Sequence, residues 1–242
     1  MSKYSLTLYI PLFNEEDGIK YLYDEINKYK TDIKKINNFS IVLIDDGSTD
    51  KTKELLELYF TEPEFRIITH KVNKNLGGFL RTAMKDCQTE YIGFIDSDCS
   101  YSIPTFLSMV ELSKNGFEIV NASPYHPDGN VENISNFRLI PSLVVNKIYR
   151  FLTKKQIFTS SSICKIYKTS IVKKIILEND GFVAVVELLT KASLLTNSYF
   201  EYPCTLKGRL FGKSKIKFFK VVFGHLKYIL YFNNYVKKSI SS

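Results

Sequence analysis

Asp96 and Asp98 stand one residue apart, directly after an apolar run from Tyr91 to Ile95. Two carboxylates at the end of a strand-like segment suit a hard divalent cation. Mg2+ and Mn2+ prefer oxygen ligands, and Mg2+ usually keeps positions for substrate phosphates. The same residues would also serve an ordinary solvated turn, because Asp and Ser favour turns. A second acidic pair, Asp45-Asp46, closes another apolar run and leads into Gly47-Ser48. That repetition adds weight to the cation reading.

The elements that must position these residues alternate along the first half. Ser5 to Ile10 reads as a strand ending at Pro11, and residues 17–30 carry Ile19, Leu22, Ile26 and Tyr29 at helical spacing. Phe39 to Ile44 is a short β-branched run. Ser48 is placed to cap the next helix, which carries Leu55, Leu56 and Tyr59. Phe65 to Thr69 predicts a third strand, Gly77-Gly78 opens a helix to about Cys87, and Tyr91 to Ile95 predicts a fourth strand. The glycine pair suits either a close approach to a ligand or a tight turn. Pro104 fits the first turn of a further helix, and Phe117 to Asn121 predicts a fifth strand. This alternation implies an α/β fold with a mostly parallel sheet covered on both faces. Ligands of such sheets bind beyond the carboxyl ends of the strands. Pro11 to Glu15, Asp45-Asp46 and Asp96-Asp98 all fall at such ends.

The second half is less regular. Residues 122–136 predict a loop, residues 137–155 and 168–178 helices, and residues 182–195 an apolar helix whose only acid is Glu187. Residues 216–236 are apolar and basic, about as long as a bilayer span of ~20 residues. Lys217, Lys220, His225 and Lys227 interrupt them, and a charge costs roughly 2.5–3.5 kcal/mol at mid-bilayer. The segment is expected to lie in an interface or to pack on the domain as an amphipathic helix.

The 242 residues carry a net charge of +8, and no acid occurs from Tyr202 to Ser242. A basic block of this kind points to phosphate, an acidic lipid surface or nucleic acid. It lacks a base-reading motif, so nucleic acid is not expected. The N-terminus reads as entering a strand directly, so a secretory signal is not expected, and Cys87, Cys99, Cys164 and Cys204 show no paired spacing. A zinc site or disulfide framework is therefore not expected, and a reducing cytosol fits. His70, His126 and His225 share no spacing and receive no role.

Taken in order, YIPLFNEEDGI, VLIDDGSTDKT, NKNLGG, FIDSD and RLFGKSK resemble family 2 glycosyltransferases of the GT-A fold. GFVAVVELLTKA followed by RLFGKSK resembles the polyprenyl-phosphate sugar transferase branch, dolichol-phosphate mannosyltransferase included. The resemblance covers about residues 5–216. It implies a GT-A domain over residues 1–215, with a nucleotide-binding half (1–121) and an acceptor half (122–215), followed by a basic amphipathic tail (216–242). Pro11, Phe13 and Glu15 would line base and ribose, Asp45 would hydrogen-bond the base, and Asp46 would shape the loop. Asp96 and Asp98 would approach the diphosphate through Mg2+ or Mn2+. Arg138 and Ser142 would hold acceptor phosphate, and Arg209, Ser214 and Lys215 would face the reacting phosphates. Three places depart from the branch. Ser100 stands where a metal-holding Gln is usual, Pro124 where a phosphate-binding Arg is usual, and the serine-rich run from Ser160 ends in Lys165.

The expected reaction is inverting, metal-dependent transfer from a GDP- or UDP-linked sugar to a polyprenyl phosphate. The chain would then work as a peripheral protein on the cytosolic face of a membrane. A hydroxyl acceptor needs a general base, for which Glu187 is the nearest candidate. The same carboxylate could instead brace the site. A phosphate acceptor carries its own charge and needs no base. The alternatives are transfer to a glycan hydroxyl in surface polysaccharide assembly, or a nucleotide-sugar-binding protein that has lost turnover.

Overall fold

The computed structural model describes residues 4–133, 136–209 and 218–241. Its strands are β1 (Leu6–Leu12), β2 (Phe39–Asp45), β3 (Phe65–Thr69), β4 (Tyr91–Phe94), β5 (Ile119–Ser123), β6 (Asn130–Glu132), β7 (Lys165–Lys168), β8 (Tyr199–Pro203) and β9 (Thr205–Lys207). Its helices are α1 (Ile19–Lys28), α2 (Lys30–Lys34), α3 (Thr52–Tyr59), α4 (Asn75–Asp86), α5 (Ile103–Lys114), α6 (Asn136–Thr153), α7 (Thr169–Val172), α8 (Val183–Leu195) and α9 (Phe218–Ser241). Seven strands form one sheet in the order β3-β2-β1-β4-β7-β5-β8. All neighbours are parallel except β7, which runs antiparallel to both β4 and β5.

The central strands are apolar on both faces because both faces are covered. Leu6, Leu8 and Ile10 pack with Ile19, Leu22, Ile26, Phe106 and Met109 on one side. Tyr9, Phe94 and Tyr167 pack with Phe79, Leu80, Leu188 and Leu189 on the other. A third cluster joins α6, α8 and α9 through Tyr149, Val186, Tyr228 and Phe232. The C-terminal segment is thus a helix, α9, seated on the domain. Among the described residues, no helix is long and apolar enough to cross a membrane.

Four local expectations differ from the structure. Ser48 does not cap α3, which begins after Lys51; its hydroxyl instead accepts the Asn14 N–H at 2.9 Å. Residues 122–136 are not all loop, since β6 pairs with β9. Residues 168–178 are helical only over α7: Lys168 belongs to β7, and the backbone groups of Ile176 and Glu178 bond to the side chains of Lys191 and Glu187 instead of continuing the helix. Gly77 and Gly78 lie within the first turn of α4 rather than opening it. At Gly77 a Cβ would sit 2.1 Å from the Asn179 carbonyl oxygen. The absent side chain therefore admits a neighbouring backbone.

The seat of α9 is sensitive to acid. His225 is buried, its Nδ1 lies 3.0 Å from the Tyr149 hydroxyl, and burial pushes its pKa down to about 4. An unfolded chain takes up that proton near 6.5. The folded state thus keeps its full contribution above about pH 6.5 and loses it as pH falls toward 4, at ~1.4 kcal/mol per pH unit. Urea midpoints measured from pH 7 to 4.5 should fall more steeply in the wild type than in His225→Phe. Equal slopes would remove His225 as the source.

Candidate active site

The carboxyl ends of β1, β2 and β4 are neighbours in the sheet, and hydrogen bonds lock the loops that follow them. Asp45 is buried, and its Oδ1 accepts the Ser48 N–H at 3.0 Å. Gly47 takes φ +73°, and a Cβ there would meet the backbone of Val72 and Asn73 at 2.7 and 2.8 Å. The β2 loop is then tied to the β1 loop. The Glu15 N–H donates to the Thr52 hydroxyl at 2.7 Å, and the Thr49 N–H donates to Asn14 Oδ1 at 2.7 Å. Asn14 adopts φ +51°, a left-handed conformation that Asn tolerates better than most residues. Pro11 lies in β1 opposite Ile44, at the open end of the strand. Phe13 follows β1 and is partly buried.

Asp46 shapes this rim. Its Oδ1 lies 2.6 Å from His70 Nδ1 and accepts the Lys74 N–H at 2.9 Å. The other ring nitrogen of His70 lies 2.9 Å from the Thr82 hydroxyl. The Lys74 N–H thus holds Asp46 at the start of α4, and His70 ties it to Thr82 farther along the same helix. Nothing in the sequence marks a lone histidine for that task.

The β4 end carries the other carboxylates. Asp98 Oδ1 accepts the Ser100 N–H at 3.0 Å, and Oδ2 accepts from Arg209 Nε at 2.7 Å. Arg209 Nη1 donates to both oxygens of Glu15, at 3.1 and 3.3 Å. One guanidinium thus joins the β1 rim to the β4 rim across 194 residues of sequence. The small β6–β9 sheet delivers it. The Lys207 N–H donates to the Ser100 carbonyl at 3.0 Å, and the Gly208 N–H donates to the Glu132 carbonyl at 3.0 Å. Between Asp98 and Ser100, Cys99 holds φ +54°, a strained conformation of the kind that collects at functional sites.

Asp96 stands apart electrostatically. Part of the residue reaches the surface, but protein encloses its carboxyl. Burial first, and then Asp98, push its pKa up to about 8, against the pull of Arg209 and Lys165. Lys165 is itself buried, and burial pushes its pKa down to about 7. It lies opposite Asn121, which lies opposite Glu201, so the three form one row across β7, β5 and β8. Asn121 Nδ2 donates to Glu201 Oε1 at 2.8 Å. Lys165 ends the serine-rich run of the sequence, but its place beneath the acidic rim follows from the register of β7.

Asp96, Asp98 and Ser100 offer a divalent cation hard oxygen donors, and the mutual repulsion of the two carboxylates is what a dication relieves. The described residues gather no group of three His, Cys, Asp or Glu side chains able to hold a metal unaided. A cation held there would need further oxygens from elsewhere, and Mg2+ commonly takes them from substrate phosphates.

The residues expected from the sequence to hold acceptor phosphate are spread more widely. Arg138 lies on α6, one turn before Ser142. Ser142 hydrogen-bonds Tyr125, the last residue of the Ala122-Ser123-Pro124-Tyr125 run. Ser214 and Lys215 lie outside the described residues. Glu187 is fully buried. Its carboxylate accepts the N–H groups of Glu178 and Asn179 at 2.9–3.2 Å, Asn179 Nδ2 at 2.8 Å and Lys191 Nζ at 2.6 Å. A cavity of about 940 Å³ lies beside α4, lined by His70, Lys74, Arg81 and Asp180 among others. Its lining includes none of Asp96, Asp98 or Arg209.

Comparison with known proteins bears on the family and the fold. The chain is 24% identical over 226 residues to the dolichol-phosphate mannosyltransferase of Pyrococcus furiosus, covering 93% of this chain and 62% of that protein. It is 24% identical over 223 residues to the undecaprenyl-phosphate 4-deoxy-4-formamido-L-arabinose transferase of Pectobacterium atrosepticum, covering 90% and 64%. The chain thus spans a little under two thirds of the length of these curated relatives. Among solved structures, it resembles the glucosyl-3-phosphoglycerate synthase of Mycobacterium tuberculosis in complex with Mn2+, UDP and glucosyl-3-phosphoglycerate. That likeness has a TM-score of 0.68 at 15% identity, over 95% of this chain and 80% of that one. The GT-A fold expected from the sequence is the fold found. Residues 7–176 match the sequence profile described as glycosyl transferase family 2, and with the larger part of its length inside that match the chain belongs to the family.

Proposed function

We propose that this protein is an inverting glycosyltransferase that moves a sugar from a nucleotide-sugar to a polyprenyl phosphate at a membrane surface. The observation that carries the reading is the convergence of Glu15, Asp98 and Arg209 from three distant segments at neighbouring strand ends. The relatives named for dolichol-phosphate and undecaprenyl-phosphate transfer support the acceptor class. The neighbour solved with UDP supports the donor class. Residues 1–121 would serve the donor and residues 122–215 the acceptor.

Pro11, Phe13, Glu15 and Asp45 would receive the base and ribose, with Asp46 holding the loop. A divalent cation, Mg2+ or Mn2+, held by Asp96, Asp98 and Ser100, would supply Lewis-acid stabilisation to the departing diphosphate. Arg209 presents a planar fork of donors at the same place and is in position before charge develops. Arg138 and Ser142, with Ser214 and Lys215, would hold the acceptor phosphate in line. Glu187 reads as the brace: it is closed to solvent and its oxygens are occupied, whereas a general base must reach the acceptor proton. A phosphate nucleophile needs no such base.

The membrane-facing part is drawn from two helices. α6 packs on α9 through Tyr149, His225 and Tyr228. α6 exposes Leu143, Val144 and Phe151, and α9 exposes Phe223, Leu226 and Leu230. No acid occurs between Glu132 and Glu178, nor after Glu201. Apolar side chains on an acid-free, lysine-bearing surface suit an anionic lipid interface.

Three measurements test this reading. A donor screen, following nucleoside diphosphate release with Mn2+ and a short polyprenyl phosphate, should find a productive GDP- or UDP-sugar. Asp98→Ala should abolish that release, and Arg209→Gln should slow it at least ~100-fold, the scale of losing a preorganised charge stabiliser. A wild type without turnover on any donor would leave a binding protein instead. Glu187→Gln should lower the unfolding midpoint yet keep turnover per folded molecule at saturating donor. Near-complete loss of turnover in the folded variant would favour a hydroxyl acceptor. Finally, Phe151→Ser with Phe223→Ser should cut partitioning onto phosphatidylglycerol vesicles at least ~10-fold, since each Phe buries ~1.5–3 kcal/mol of apolar surface. Unchanged partitioning would reject the two-helix surface.

A further inference from the structure

The segment 176–180 is held from two sides. On one side it is the ceiling of α4. The Gly77 N–H donates to the Asp180 carbonyl at 2.7 Å, and a Cβ on Gly77 would lie 2.6 Å from Asp180 Cα. Arg81 Nη1 donates to the Asn179 carbonyl at 3.2 Å, and its other nitrogen pairs with the Asp180 carboxylate. The start of the same helix carries Lys74, whose N–H holds Asp46, the residue after Asp45.

On the other side the segment hangs from α8. Glu187 takes the N–H groups of Glu178 and Asn179. Lys191, one turn along, donates to the Ile176 carbonyl at 2.9 Å and to Glu187 at 2.6 Å. The ammonium of Lys191 is capped by α9. It lies 5.3 Å from the ring centre of Tyr231 and 5.4 Å from that of Tyr235. Burial and a hydrogen bond to Glu178 raise the pKa of the Tyr231 hydroxyl. The Tyr228 hydroxyl, on the same helix, lies 2.7 Å from the Thr190 hydroxyl. Chains of packed and hydrogen-bonded groups of this kind can carry energetic coupling between distant sites.

We propose that Lys191 and Glu187 are positioning residues, forming a strut through which the seating of α9 holds segment 176–180 against the start of α4 and so fixes the donor rim at Asp45 and Asp46. The inference rests on the nucleotide-sugar reading of that rim, but the strut can be judged without it. Seating of α9, the helix that offers Phe223 and Leu230 to a lipid surface, then tightens donor binding. A donor bound at the rim favours the seated helix in return, because linkage is reciprocal.

The test uses the full chain and two variants. Tyr231→Leu with Tyr235→Leu removes the two rings over Lys191 from the surface of α9. Lys191→Met removes the ammonium and keeps the length. Amide exchange, measured without nucleotide, should quicken at least 5-fold at Gly77, Glu178 and Asn179 in the tyrosine variant, while the β1 and β4 amides hold their wild-type rates. Calorimetric titration with UDP and GDP in Mn2+ should show a Kd at least 3-fold weaker in both variants. Should Lys191→Met fail to fold, the tyrosine variant decides alone. Unchanged exchange at those three amides overturns the strut. Faster exchange with unchanged Kd overturns its link to the donor. A wild type that binds neither nucleotide overturns the donor reading and that link together, leaving the exchange result to judge the strut.

Discussion

One guanidinium governs the geometry of the site. Glu15 and Asp98 end neighbouring strands, and with Asp96 they bring three carboxyl groups to a partly buried rim. Like charges so placed repel, and the rise of the Asp96 pKa to about 8 is the trace of burial and of that repulsion. Arg209 lies between Glu15 and Asp98 and bonds to both. The ordering of β6, β9 and Gly208 follows from the need to bring this residue in from far along the chain. The left-handed turns at Asn14 and Cys99 lie where the two rims meet the arginine. Folding therefore assembles an acidic rim whose charge is partly offset by one side chain that also suits phosphate.

The first half of the fold was legible because its strands are short apolar runs divided by amphipathic helices. The period changes from 2 to 3.6 and back within Leu6 to Lys114, and the turn residues fall between. Asp45, Asp46, Asp96 and Asp98 could be assigned to one edge because parallel topology puts all carboxyl ends together. The second half was less legible for physical reasons. β7 (KIYK), β8 (YFEYP) and β9 (TLK) each carry charged residues and form no continuous apolar run of the kind that marks β1, β2 and β4. Ser48 reads as a cap because it precedes a helix, but the neighbouring β1 loop offers its hydroxyl a donor and wins it.

Roles that depend on tertiary partners were the least legible. His70 matters because Asp46 and Thr82 stand on either side of it, and those three residues are far apart in sequence. Glu187 could be read as a base or a brace. Only the arrival of Glu178, Asn179 and Lys191 shows how fully its oxygens are used. Lys165 ends a serine-rich run, but its burial beside Asn121, two strands from Glu201, comes from strand register. A buried lysine and a half-buried glutamate in one row carry ionic character into the sheet, where each moderates the cost of the other.

The antiparallel strand β7 has a consequence for how the chain reaches this state. Among the described residues, β4 meets the β5–β8 pair only through β7. The strand order therefore has no bond between residues 91–94 and 119–123 until residues 165–168 arrive. A nascent chain that has emerged only as far as β5 owns a four-stranded sheet, β3-β2-β1-β4, with an open edge, and an unpaired fifth strand. Closure depends on a contact that spans about 70 residues, a high-contact-order event of the sort that slows folding. The segments before and after residue 121 are in this sense joined through β7, which pairs with both β4 and β5.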